Sequence, residues 1–496
     1  MLSLIVFWPL LVAVVLVALP RIPDSASRWI WLAATVVDLG LVLAVWVTYD
    51  TPAPGALAFE EQAPWIPGVD SSYHLGVDGL SLPMLALTAV IFVACAVYAL
   101  REEQRPRAQA ALFLFLQTAC LGVFAAQDLI LFFVFFDLSI VGMYFAIAGW
   151  GHGDAARSAL KFFLYTFLGS LALLLGFIGL YVASDPRTFD MVELAADPPL
   201  DGSPVAGGLV LAAILLGLAV KTPTVPFHTW LPPAHTDAPA IGSAVLAGVL
   251  LKLGTYGLVR IAMPMLPEAW RAWAWVIIVV GLVSIIYGAL VALAQTDLKR
   301  MIAYTSVNHM GYVVVALGAA GLVSGGDSLS GDVAVTGAVF QMVSHGLITG
   351  ALFLLTGVLW DRAESYDLGS FGGLTAPAPR LAALFALGAF ASLGLPGFTG
   401  FIAEFQIFTG AIALAPVTAI GLLGILVTAG LFLRSLQFVF TGPTRGLSTG
   451  FADLAPRELW SAGGLMSLAI VFGVLPRPLL DVIEPAARVT VDLVGR

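Results

Sequence analysis

Five side chains stand in stretches of the chain that offer no ordinary place for them. Asp137 lies in LFFVFFDLSIVGMYF, Lys221 in LAVKTPTVPFHTW, Lys252 in VLAGVLLKLGTYGLVR, His345 in FQMVSHGL and Glu404 in GFIAEFQIF. A charge at the centre of a membrane-crossing run costs roughly 2.5–3.5 kcal/mol on insertion scales. Several together are a large penalty unless they pair, face water or do work. Their shared chemistry is proton uptake and release. Buried lysine changes its hold on a proton readily, and imidazole changes charge near neutral pH. A carboxylate is drawn toward neutrality by desolvation and toward ionisation by a neighbouring lysine. Asp137 and Lys221 would therefore make a switchable pair.

Lys221 is marked further by Pro223 and Pro226, followed by Pro232, Pro233 and Pro239. Proline removes a backbone donor and clashes with the preceding turn, and the carbonyls it frees can bind water or the hydrogens of a cation. Trp230 is the expected marker of the membrane surface, which places Lys221 deeper than a snorkelling lysine. Lys252 is flanked by small residues that permit close helix packing, with a fixed ion pair as the alternative. Glu404 follows a second interruption, Leu395-Pro396-Gly397-Phe398-Thr399-Gly400. His345 reads as a relay or a packed histidine, and His309, in TSVNHMGY, as a relay or a helix contact. His228 and His235 are expected at the interface, His74 and His152 in loops, and Arg434 snorkelling inward.

Composition fixes the setting. The chain has 496 residues, 60% hydrophobic and 11% charged, where a soluble domain carries about 25% charged residues. Apolar runs of membrane-crossing length fill it, and the ten-residue alternation of a barrel is absent. The net charge of −9 offers no basic surface for nucleic acid. Cys95 and Cys120 lack the spacing of a disulfide framework, a metal site or an iron–sulfur site. No dinucleotide fingerprint, P-loop or nucleophile elbow is found. Moving one charge against a membrane potential takes about 2.3 kcal/mol per 100 mV, so that energy must come from an ion gradient or a partner. The first run lacks a preceding basic residue and a cleavage site, and reads as a retained anchor.

The apolar runs predict an all-α integral membrane protein, one polytopic domain over 1–496. About fourteen spans are expected, at 2–19, 30–49, 80–100, 109–126, 129–149, 158–183, 206–231, 239–262, 271–294, 300–323, 333–360, 380–409, 416–440 and 459–476. With the N-terminus outside, thirteen arginines and lysines fall in inner connections and three, Arg187, Arg260 and Arg271, in outer ones. Both ends then face outward. Spans 7 and 12 are interrupted and lie five apart, as two inverted five-helix repeats over 109–262 and 271–440 would place them. Broken helices at matching places in inverted halves point to a transport site near the midplane.

The set KTPTVPFHTWLPPAHTDAP, LLKLGTYGLVR, LAQTDLKRMIAYTSVNHMGY, FQMVSHGL and LGLPGFTGFIAEF resembles the antiporter-like membrane subunits of respiratory complex I and of multisubunit sodium/proton antiporters. The resemblance runs across nearly the whole chain. It implies fourteen helices in two inverted repeats with broken helices 7 and 12. It also implies a proton path through Lys221, Lys252, His345 and Glu404, with Asp137 where the family usually has glutamate. The shorter aspartate requires closer packing or a bridging water to reach Lys221. Glutamate at 404, where L- and N-type subunits and antiporters typically have lysine, matches the M-type subunit of bacterial NADH–quinone oxidoreductase. So does a chain that stops about twenty residues after its last span. The resemblance implies a cell-membrane location, neighbouring L- and N-type subunits, and FMN, iron–sulfur clusters and quinone in partner subunits, with no cofactor or metal in this chain. The alternatives are a cation/proton antiporter subunit and a purely structural spacer.

Overall fold

A backbone without water to bond must satisfy its own polar groups, which leaves helices or closed barrels in a bilayer. The computed structural model describes residues 1–19, 21–323 and 328–495, and is helical apart from one hairpin. Among the described residues, ten helices are long and apolar enough to cross a membrane. The other four expected runs coincide with helices that do not reach that length and hydropathy on their own. Leu2–Ala18 and the pair Pro379–Ser392 and Thr399–Leu414 are individually short. Leu298–Ala320 is diluted by Thr305, Ser306, Asn308 and His309, and Pro456–Val474 leads into a bent partner.

Burial sorts these helices into a centre and a rim. The most apolar 18-residue stretch of Ser328–Ala363 is 100% buried and that of Ala240–Met265 94%, against 33% for those of Asp24–Val47 and Pro416–Phe440. Leu298–Ala320 packs on Ser328–Ala363 and is buried along most of its length. The three enclosed helices carry Lys252, His309 and His345. Side-chain caps fix where neighbouring elements begin: Asp128 accepts from the backbone N–H groups of Ile130 and Leu131, and Asp297 from that of Arg300.

Two helices break where the sequence places prolines. Pro204–Lys221 stops at Lys221, and a short helix resumes at Leu231–Asp237. The run expected to end at 231 is thus two segments, the second reaching 237. Carbonyls near the break find new donors: Trp230 Nε1 donates to Val220 O at 2.9 Å and the Thr224 N–H to Ala219 O at 3.0 Å. Trp230 is consequently buried inside the protein, its indole spent on the break. The second break separates Ser392 from Thr399, with Gly394 (φ +66) and Gly397 (φ +98) in the left-handed region that favours glycine.

The polar stretch at 50–79 folds as an antiparallel hairpin, Ala58–Ile66 with Ser71–Val77. Residues after the last expected span form a further helix, Arg477–Gly495, bent 71° from Pro456–Val474. Its buried Leu479, Ile483, Ala487, Val491 and Val494 recur at helical spacing on one face.

Ion pairs hold the enclosed helices and the hairpin in place. Glu458, buried at the start of Pro456–Val474, accepts from Arg362 Nη2 at 2.6 Å and from the Ala455 N–H at 2.9 Å. This ties down the end of the helix that carries His345. Replacing Glu458 with alanine is expected to cost about 1–3 kcal/mol by removing the charged partner of the half-buried Arg362 guanidinium, read as a lower unfolding temperature of the detergent-solubilised protein. An unchanged unfolding temperature would show the pair to be dispensable.

His74, on the hairpin, sits 2.6 Å from Asp190 Oδ2 and 2.9 Å from Glu60 Oε1. Burial alone lowers its pKa, but the hydrogen bonds and charges of Asp190 and Glu60 outweigh it and raise the value above that of ordinary histidine. A raised folded pKa means the clasp contributes fully below about pH 6.5 and fades as pH climbs through the folded value. Protease resistance of the hairpin should therefore fall as pH rises above about 6.5, and His74→Gln should remove that dependence. The same pH profile in the variant would refute the clasp.

Candidate functional site

Lys252 and His345 meet at the centre of the enclosed helices. Lys252 Nζ lies 2.7 Å from His345 Nδ1 and also donates to Ala247 O. That carbonyl belongs to a π-helical turn, Leu246–Leu250. The wider turn lets an amine five residues later reach back to it, and such turns recur at functional sites. Both side chains are buried, and among the described residues no carboxylate acts on Lys252. The fixed ion pair considered from sequence is not what surrounds it. Two proton-binding nitrogens at hydrogen-bond distance share a proton, and each one's occupancy controls the other's.

Beyond His345 the line continues. Its ring lies edge-on to that of His309, with centroids 5.5 Å apart. Among the described residues, His345 Nε2 and His309 Nδ1 have no hydrogen-bond partner. A cavity of about 10 Å3, room for roughly one water, is lined by His309, Gln341, Ser344, His345, Ser392 and Glu404 among others. It opens onto the second helix break. Glu404 is buried there, with its carboxylate against Gly394, where any Cβ would strike it. Ser344 Oγ donates to Thr399 Oγ1 at 2.9 Å, tethering the His345 helix to the resumed half of the broken one.

On the other side, Lys221 ends its helix with Nζ 3.1 Å from Ser139 Oγ and 4.6 Å above the Phe136 ring. Asp137, two residues before Ser139, leans toward Ser170 on the next helix, and its Oδ1 has no partner. The acid and the amine feel each other electrostatically, yet among the described residues they form no direct ion pair. Thr222 follows Lys221 and presses on Gly254, two residues beyond Lys252; its hydroxyl has no partner. Only glycine at 254 allows that approach.

The structure moves several other residues. His228 and His235, expected at the interface, are buried. His228 packs edge-on to Tyr287 at 5.0 Å, and His235 stacks on Phe353 at 4.4 Å. Lys299, counted among the inner-loop cations, is fully buried and donates to Ala238 O at 2.6 Å and Tyr366 Oη at 3.2 Å. That hydroxyl lies 3.0 Å from His152 Nε2, so the loop histidine joins a buried network. Arg434 reaches the carbonyl of Leu293 at the end of a neighbouring helix. A further buried acid, Asp38, was legible in TVVDLGLVL by the rule that selected Asp137.

Known proteins resemble this chain over most of its length. The family described as NADH:quinone oxidoreductase/Mrp antiporter, TM, matches residues 126–431, which hold every site residue from Asp137 to Glu404. F(420)H(2) dehydrogenase subunit M of Methanosarcina mazei is 37% identical, over 99% of this chain and 98% of its own. NADH-quinone oxidoreductase subunit M of Rickettsia prowazekii is 36% identical over 92% and 91%. A chain of respiratory complex I from Thermus thermophilus with bound NADH superposes with a TM-score of 0.89 at 29% identity, covering 100% of both chains. A chain of the Mrp complex from Dietzia sp. shares the fold, with a TM-score of 0.85 at 21% identity over 99% of each. This chain therefore belongs to the NADH:quinone oxidoreductase/Mrp antiporter transmembrane family.

Proposed function

We propose that this chain is the M-type, proton-translocating membrane subunit of an NADH–quinone oxidoreductase. Redox chemistry at FMN, iron–sulfur clusters and quinone belongs to partner subunits, with L- and N-type subunits as lateral neighbours. It acts as part of a translocase in the cytoplasmic membrane, both termini outside, with two inverted five-helix repeats over 109–262 and 271–440. The observation that carries this reading is the buried Lys252–His345 contact at 2.7 Å. An amine and an imidazole without a counter-charge form a proton-transfer step, not a structural bridge.

The remaining groups take roles by position. Asp137 and Lys221 are the switch. Lys221 hydrogen-bonded to Ser139, with Asp137 turned toward Ser170, corresponds to the separated form of the pair. Separation removes the charge that holds the proton on Lys221, and the proton moves toward Lys252, past Thr222. From Lys252 it passes to His345 Nδ1. Release from His345 Nε2 faces the cavity that ends at Glu404, the exit or the link to the next subunit. Energy reaches the line from partner subunits through electrostatics and helix motion. The glutamate at 404 and the M-type relatives favour this reading over an antiporter subunit.

Two measurements test it in the intact complex. Lys221→Ala should abolish proton translocation through this subunit and slow coupled quinone reduction; pumping and quinone reduction both unchanged would exclude the switch. Lys252→Met removes the cost of burying an amine, so the complex should assemble normally, yet lose roughly two orders of magnitude in transfer rate through this line. His345→Gln should do the same, because glutamine hydrogen-bonds but carries no proton. Normal pumping in either variant would remove that residue from the path.

A further inference from the structure

The helix Asp24–Val47 carries an intramembrane acid that the proposed proton line does not use. Its buried stripe runs Ser27, Trp31, Ala34, Thr35, Asp38, Val42 and Val45, while Trp29, Val36, Val37, Leu43 and Val47 are exposed on the other side. Asp38 therefore faces inward, toward Pro106–Ala125. It is completely buried, and its Oδ2 accepts from Gln117 Nε2 at 2.6 Å. Among the described residues no charged group acts on it. Two atoms of the pair are left over: Asp38 Oδ1 and Gln117 Oε1 have no partner.

Those leftovers are complementary. An ionised carboxylate offers acceptors only, and an amide offers one acceptor beside its two donors. One hydrogen bond between an ionised Asp38 and Gln117 would leave two buried acceptors unsatisfied and a negative charge in lipid with no cation beside it, both unfavourable. A single proton on Oδ1 removes all three defects. The acid becomes neutral, its O–H donates to Gln117 Oε1, and the amide N–H already donates to Oδ2. We propose that Asp38 is a proton-binding site of the membrane interior, holding its proton as a neutral acid that closes a two-bond ring with Gln117 and ties Asp24–Val47 to Pro106–Ala125.

The ring has a mechanical consequence. Gln117 lies one helical turn before Cys120, and Cys120 stands near enough to Lys221 to interact with it. Pinning Pro106–Ala125 at Gln117 fixes the position of Cys120, one turn on along the same side of the helix, beside Lys221. Asp38 is thus a positioning residue whose proton stays in place, and this inference does not depend on the Lys252–His345 line carrying protons.

Infrared spectroscopy of the assembled complex tests it. The spectrum of the natural complex minus that of Asp38→Asn should contain the carbonyl band of a protonated carboxylic acid, shifted to lower frequency in heavy water. Asp38→Asn keeps one donor and one acceptor facing Gln117, so assembly and proton pumping should be unchanged. Gln117→Leu removes the partner and should reduce the assembled subunit. The inference is overturned if the difference spectrum shows no such band at neutral pH. It is equally overturned if Asp38→Asn assembles normally but loses pumping, since Asp38 would then have to give up its proton. Loss of pumping confined to Lys252 and His345 variants bears on the proton line alone.

Discussion

An amine sealed from solvent with only an imidazole and a carbonyl as partners is the constraint around which the interior is arranged. Lys252 can be tolerated there only if His345 is held at hydrogen-bond distance, and the chain spends its glycines to achieve that. Gly346, beside His345, faces the carbonyl of Gly248, one turn before Lys252, at a distance that leaves no room for a methyl group. Small residues at a helix crossing let backbones approach in this way. The same device recurs at Gly254 against Thr222. The two contacts place His345 on one side of the Lys252 helix and the Lys221 break on the other. Close packing, more than attraction between the side chains, keeps the three groups in line.

The breaks follow from the same economy. A proline inside a span frees carbonyls that must find donors in a place without water. At the first break those donors are the Trp230 indole and a loop N–H, which is why a tryptophan that looks interfacial in the sequence is buried. At the second break two glycines in left-handed conformation turn the chain, and the turn brings Glu404 against Gly394 with no Cβ between them. Each break thus does two things. It satisfies its own backbone and leaves an ionisable side chain beside it, Lys221 at the first and Glu404 at the second.

Most of the architecture and the named ionisable groups could be read from sequence because both rest on strong local signals. Apolar runs of membrane length declare helices, and a charge inside such a run is conspicuous against them. What could not be read depended on partners distant in sequence. The side chains that Lys221 and Asp137 turn to, Ser139 and Ser170, are ordinary hydroxyls that no pattern singles out. The hairpin at 58–77 hid in a polar stretch whose strands carry an irregular burial pattern, and the bent terminal helix is too polar overall to announce itself as part of the membrane fold. Asp38 is a different case. It stood mid-run in plain view, and only its partner Gln117, 79 residues on, separates it from the acids that were noticed.

That contrast leads to a physical distinction between charges that are held and charges that can move. Glu458 accepts from Arg362 and from its own helix start, so its acceptors are occupied and a cation stands beside it. Asp38 faces one amide whose spare acceptor matches its own, an arrangement completed by one proton and disturbed by losing it. Along the line from Asp137 to Glu404 the pattern is different. Asp137 Oδ1, the Thr222 hydroxyl, His345 Nε2 and His309 Nδ1 all retain unused hydrogen-bonding capacity, and a space for about one water lies at the end. A saturated group has nothing to gain by changing its protonation. A group with capacity to spare, beside another of the same kind, can change state at small cost, and a row of such groups through a membrane is the physical requirement for carrying a proton across it.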